Sequence, residues 1–177
     1  MIFVILTGNE IRKQVLEGRI HISPFDLNRI NPNSYNFRLG GTIKIYSVDD
    51  ILDPKEDNRY YTVTLGDNGF VINPGELYIG HTVEEIGSDY YVPLMVARSS
   101  VGRLGISIFL NSGLGDIGFK QQWTLEITAV RRVRLYPGMG IGQMLFIKPE
   151  GDITLYAGRY NDSEGPVTCK LHEDFSK

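Results

Sequence analysis

From residue 20 onward the chain runs as short apolar stretches with a two-residue rhythm, interrupted by Gly, Pro, Asn and Asp. Alternation of that period marks strands with one buried face. It predicts strands at Ser34–Leu39, Thr42–Tyr46, Tyr60–Leu65, Phe70–Ile72, Leu77–Thr82, Leu94–Ala97, Ile106–Leu110, Thr124–Ala129, Arg132–Leu135 and Gly142–Ile147. The apolar opening, Ile2–Leu6, predicts a buried first strand. So many short strands with recurring turn signals indicate an all-β sandwich or barrel. Helical period appears once. Thr7-Gly-Asn-Glu10 reads as a capping box, Ile11, Val15 and Leu16 share a face, and Gly18 ends the run. The charged stretch Asp49–Arg59 lacks any period and predicts an exposed loop. From about Tyr156 the pattern turns polar, so a single domain over residues 1–177 is expected to end in a mobile tail.

Composition narrows the class. With 177 residues, 42% of them hydrophobic, the chain can bury a core. A net charge of −3 argues against a broad surface for nucleic acid or membrane, leaving room only for a local anion site. The one cysteine, Cys169, allows no internal disulfide, and the natural compartment is a reducing cytoplasm. Ile2–Leu6 is too short to span a membrane or act as a signal. The three dispersed histidines and single cysteine do not make the H-x-E and P-C-x-x-C pattern of zinc nucleoside deaminases. A P-loop, G-x-S-x-G and H-E-x-x-H are also missing. No protein-held metal, zinc in particular, is expected.

Candidate chemistry lies in two places. Arg98-Ser-Ser-Val-Gly-Arg103 follows an apolar strand, and Ser99 and Ser100 are helix-capping types. If a helical turn starts there, Ser99 and Arg103 share a face, and free amides, hydroxyls and guanidiniums form a polyanion site that Gly102 lets a ligand approach. The other reading is a structural arginine pair. Glu126 sits in Trp123-Thr-Leu-Glu-Ile127, where alternation puts Thr124 and Glu126 on one face and Trp123, Leu125 and Ile127 on the other. A buried carboxylate is costly unless paired, and burial moves carboxylates toward the range useful for proton shuttling. Equally, Glu126 could face solvent from a one-sided sheet. Asp116, in a glycine-rich loop, could orient a water, contact a sugar or form a turn.

The order Arg98-Ser-Ser-Val-Gly-Arg-Leu-Gly105, Asp116-Ile-Gly-Phe119, Thr124-Leu-Glu126 and Pro137-Gly-Met-Gly-Ile-Gly-Gln143 closely resembles the dCTP deaminase family of the dUTPase-like superfamily. Gly18–Pro24, Pro32–Gly40, Tyr156–Tyr160 and Gly165-Pro-Val167 extend the resemblance over most of the chain. It implies a distorted β-barrel, jelly-roll-like, dUTPase-type fold with a short N-terminal helix, assembled as a homotrimer with sites between subunits. The implied reaction is zinc-independent deamination of dCTP to dUTP and ammonia, with Mg²⁺ bound through the triphosphate. dUTP is a further candidate substrate and dTTP a candidate inhibitor.

By the same resemblance Glu126 is the general base, with Ser99 and Arg103 beside the reacting ring. The segment Arg98, Ser99, Ser100, Val101, Gly102, Arg103 takes part in substrate binding. Asp116 meets the deoxyribose, backbone groups around Thr124 and Leu125 read the pyrimidine edge with Gln143 nearby, and Tyr156 and Arg159 close over the phosphates. Ser112-Gly-Leu-Gly-Asp116 lacks the His that precedes this aspartate in deaminase-only forms. That favours relatives that both deaminate dCTP and hydrolyse dUTP to dUMP and pyrophosphate. Gln121 stands where the family has Gly, and Ser163 where it has Gln. A dUTPase and a non-catalytic nucleotide-binding regulator remain as further alternatives.

Overall fold

A computed structural model describes residues 4–47, 51–110, 113–162 and 164–176. Its single longer helix, α1 (Gly8–Leu16), begins as the capping box requires: the Thr7 hydroxyl accepts the Glu10 amide at 3.3 Å. Ile11 is fully buried beneath it. The strands are β1 (Ile20–Ser23), β2 (Ile30–Asn31), β3 (Ser34–Arg38), β4 (Thr42–Tyr46), β5 (Tyr60–Thr64), β6 (Phe70–Ile72), β7 (Tyr78–Ser88), β8 (Val92–Ala97), β9 (Ile106–Ser107), β10 (Gln122–Ala129), β11 (Val133–Leu135) and β12 (Gly140–Ile147). A five-residue helix, α2 (Ser99–Arg103), follows β8.

Two antiparallel sheets dominate. One runs β5-β4-β7-β10-β9, with β1 also paired to β7; the other runs β2-β3-β12-β8. β11 pairs with β6 separately. Their inner faces share one core, with Tyr35 and Phe37 from β3, Phe146 from β12, Ile43 from β4 and Leu125 and Ile127 from β10 all but sealed from solvent. Burying side chains of this size is worth about 1.5–3 kcal/mol each, which holds the sheets face to face. The result is a distorted, mostly β fold of the expected class rather than a closed barrel. No helix among the described residues is long and apolar enough to cross a membrane.

Several boundaries differ from the sequence pattern. Residues 1–3 of the expected first strand lie outside the described residues; of the rest, Val4 and Ile5 are exposed, Ile5 makes one bridge to Ile147, and only Leu6 is buried. β7 runs on to Ser88 because Glu84, polar by pattern, is buried and paired. β9 stops at Ser107 rather than Leu110, since the Leu110 amide turns to the Glu126 carboxylate. β1 and β2 were too short to show a period. Arg98, not a serine, is the N-cap residue of α2, which has no side-chain cap bond.

Candidate active site

β10 builds the site. It delivers Gln122, Thr124 and Glu126 to one face, while Trp123, Leu125 and Ile127 go into the core. On the neighbouring strand Ile79 stands opposite Glu126, and His81 opposite Thr124. A bulge between Gln122 and Thr124 breaks the register. There the Trp123 amide donates to the Thr82 hydroxyl at 2.9 Å, and Gln122 Nε2 donates to the Val83 carbonyl at 3.1 Å.

Above this face lies a cavity of about 700 Å³. Glu126, Thr124, Gln122 and Ile79 form its floor, with Leu77 and Tyr46 beside them. One wall is the loop after β9. Gly115 lies so close to the Trp123 indole that any Cβ would overlap the ring, and Gly118 adopts φ +99° to turn the chain. Between them Asp116 is exposed at the rim. Phe119 then stands edge-on to Trp123 at 5.3 Å and to Tyr156 at 5.9 Å. Leu52, Asp53, Pro54 and Asn58 form another wall, so the charged loop expected only to be solvated also shapes the cavity. The C-terminal segment, from Tyr156 through Tyr160 to Val167, Thr168 and Cys169, covers it.

Glu126 is half-buried, neither sealed in the core nor turned to bulk solvent. Its Oε2 accepts the Leu110 amide at 2.8 Å, which fixes the carboxylate at the cavity edge. Tyr46, across the floor, has its phenol pushed above the ordinary value, chiefly by burial and against a hydrogen bond from the Cys169 amide. Burial likewise lowers the His81 imidazole, opposed by hydrogen bonds to Thr82 and Gln122. The cavity therefore joins a largely apolar chamber to one oriented carboxylate, an arrangement suited to a flat heterocycle undergoing proton transfer.

Of the residues singled out from sequence, Asp116, Thr124, Glu126 and Tyr156 meet in this cavity. The arginine cluster lies elsewhere on the chain. Ser99, Ser100, Gly102 and Arg103 are exposed on α2, Val101 is its buried anchor, and Arg98 Nη1 donates to the Gly140 carbonyl at 3.1 Å. Gln143 pairs across the second sheet with Val96 and Asn36, to whose side chain it donates at 3.3 Å. Leu125 points its side chain into the core, at 0% exposure, which leaves its backbone for the expected contact. Arg159 donates to the Lys170 carbonyl at 2.6 Å and pairs with Asp174. Ser112 and Ser163 lie outside the described residues. Sequence reasoning missed Gln122 and Tyr46, although Gln122 stands two and four residues before Thr124 and Glu126. Among the described residues no three His, Cys, Asp or Glu side chains gather to hold a metal.

The model of the dCTP deaminase-like family matches residues 5–148. A Hathewaya histolytica protein named dCTP deaminase, dUMP-forming, is 40% identical over 173 residues, 97% of this chain and 99% of its own. A Leptospira biflexa protein of the same name is 41% identical over 175 residues, 98% of this chain and 99% of its own. Among solved structures, the 2'-deoxycytidine 5'-triphosphate deaminase of Agrobacterium tumefaciens superposes with a TM-score of 0.65 at 20% identity, over 84% of this chain. The chain spans about half of that longer protein, 49% of its length.

Proposed function

Since the chain belongs to the dCTP deaminase-like family, matched over residues 5–148, we propose that it deaminates dCTP and carries the product on to dUMP and pyrophosphate. The single observation that supports the chemistry is Glu126, oriented by the Leu110 amide at the edge of an apolar cavity it shares with Thr124 and Asp116. Water attacks C4 of the cytosine ring while Glu126 takes its proton. The tetrahedral carbon then expels ammonia as the carboxyl group returns that proton to the leaving nitrogen, and the carboxylate relays the C4 hydroxyl proton to N3 to give the uracil ring. A second water attacks the α-phosphate, giving dUMP and pyrophosphate. Asp116, on the same rim, is placed to orient it.

The dUMP-forming branch is preferred to release of dUTP because the similar bacterial proteins bear that name and the Asp116 loop lacks the deaminase-only histidine. Mg²⁺ would travel on the triphosphate oxygens, its usual ligands, and neutralise charge there. The exposed α2 cluster supports a site completed between subunits of a homotrimer. Ser99, Ser100 and Arg103 face outward from their own subunit, where a neighbour's cavity can receive them. Val96 and the half-buried Gln143 lie on an outward sheet face that such a neighbour would cover.

The decisive assay incubates the protein with dCTP and Mg²⁺, and separately with dUTP, and resolves every product. Ammonia with dUMP and pyrophosphate is the expected result. Accumulating dUTP would place the protein in the deaminase-only branch; dUMP from dUTP alone would leave a dUTPase. dCTP binding without products would leave a regulator.

A further inference from the structure

Between Gly165 and Cys169 the chain crosses the cavity, and its alternate amides are taken up by side chains of the sheet below. The Gly165 amide donates to Gln122 Oε1 at 2.8 Å, the Val167 amide to the Thr124 hydroxyl at 3.2 Å, and the Cys169 amide to the Tyr46 hydroxyl at 2.9 Å. Pro166, between the first two, has no amide and is buried. The period of two is that of an extended strand, but the acceptors are side chains, not a neighbouring backbone. This segment can therefore leave without breaking any rung of the sheet. Of its acceptors, Gln122 is itself held by the Val83 carbonyl and Tyr46 is half-buried on β4.

Both flanks of the segment are tied down. The Tyr156 amide donates to the Ile117 carbonyl at 2.7 Å, beside the ring contact with Phe119. Arg159 binds the Lys170 carbonyl, Lys170 Nζ returns a bond to the Arg159 carbonyl at 3.0 Å, and the Lys170 amide reaches the Tyr160 hydroxyl at 3.2 Å. Only the crossing segment depends on the cavity floor.

We infer that Gln122 and Tyr46, with Thr124, form a latch that holds Gly165–Cys169 across the cavity, and that the two act as positioning residues for nucleotide retention. Gln122 and Thr124 belong to the strand that carries Glu126, so the surface that presents the base also seals it in. The latch does not touch the reacting atoms. Losing one of its bonds weakens substrate retention and leaves proton transfer in place.

The kinetic part of this inference rests on the proposed dCTP reaction; the structural part does not. Amide hydrogen exchange on the ligand-free protein reads the latch directly. Gly165, Val167 and Cys169 are expected to exchange more slowly than Glu164 and Thr168, whose amides have no acceptor among the described residues. Gln122→Ala should release Gly165, and Tyr46→Phe, which keeps the ring packing, should release Cys169. In dCTP turnover each variant should raise KM about three- to tenfold, the worth of one net hydrogen bond, with kcat moving less than KM. Alternating protection without dCTP turnover keeps the latch and removes the proposed reaction. Equal exchange along 164–169 in the parent protein, or variants that lower kcat at constant KM, would overturn the latch.

Discussion

Arg38 grips Glu84 with two donors. Its Nε reaches Oε1 at 2.7 Å and its backbone amide reaches Oε2 at 2.8 Å. Glu84 is fully buried, and the pair joins β3 of the four-stranded sheet to β7 of the six-stranded one. A buried carboxylate tolerates this position only because its partner is in place. Arg38→Met keeps most of the packing and removes the countercharge, and should cost about 3 kcal/mol of unfolding free energy. Combining Arg38→Met with Glu84→Gln should recover part of that loss, so a urea-denaturation cycle should return clear coupling. Single variants within about 0.5 kcal/mol of the parent would mean the pair is energetically idle.

His81 should make stability fall on mild acidification. Its Nδ1 lies 2.9 Å from the Thr82 carbonyl, which can only accept, so Nδ1 carries the proton and Nε2 accepts from the Thr42 hydroxyl at 3.1 Å. Burial lowers the folded imidazole below its ordinary value, while the unfolded chain titrates near 6.5. The unfolded state thus binds the proton first. Stability from this group is present above about pH 6.5 and is lost as pH falls from there toward the folded value, by up to about 1.4 kcal/mol per unit. In His81→Asn the slope of unfolding free energy between about pH 6.5 and 5 should flatten. An unchanged slope would assign acid sensitivity to other groups.

The architecture was legible wherever a strand buries one face. Thr42–Tyr46 and Phe70–Ile72 fall where alternation puts them, and the capping box gives the start of α1. Pattern failed where polar groups are paired inside. Glu84 and His81 are both buried along β7, and nothing in the alternation singles them out. In the site, the β10 alternation brought Thr124 and Glu126 to one face. Motif order pointed to the arginine cluster but did not place it relative to the cavity, whose lining in this chain it does not join. Nor could the polar tail reveal its contacts, because its amides bind side chains 43 to 123 positions away and carry no periodic signature of their own.

Glu126→Gln separates chemistry from binding. The amide keeps the shape and can still accept the Leu110 amide, but it cannot take a proton from water. Ammonia release from dCTP should fall at least about a thousandfold, while dCTP affinity measured by calorimetry stays within a few-fold. Ammonia release comparable to the parent would remove Glu126 from the proton path.

Arg98→Ala tests the phosphate reading of the α2 cluster. A guanidinium on phosphate makes charge-assisted bonds, so the change should weaken dCTP far more than deoxycytidine. Arg98 also donates to the Gly140 carbonyl, so its variant needs a check of thermal stability. Equal weakening of nucleotide and nucleoside by Arg98→Ala would contradict a role at the phosphates. Arg103, placed beside the reacting ring by the family resemblance, should instead weaken dCTP and deoxycytidine alike when changed to Ala.

The proposed sharing of the site between subunits makes a prediction that no single-chain site can satisfy. The Glu126→Gln subunit still carries an intact α2 cluster, and the Arg103→Ala subunit still carries an intact cavity. If the cluster of one subunit completes the cavity of the next, mixed oligomers contain some sites in which both contributions are native. In a ring with head-to-tail contacts, random mixing in equal amounts makes about one quarter of the sites complete. Each variant alone should be nearly inactive, and refolding the two together should restore activity toward that fraction. Restoration must require subunit exchange, so simply mixing the folded, separately assembled variants at low temperature should give none. If co-refolding restores nothing while light scattering shows that mixed oligomers have formed, the cluster and the cavity act within one chain, and the shared site is wrong.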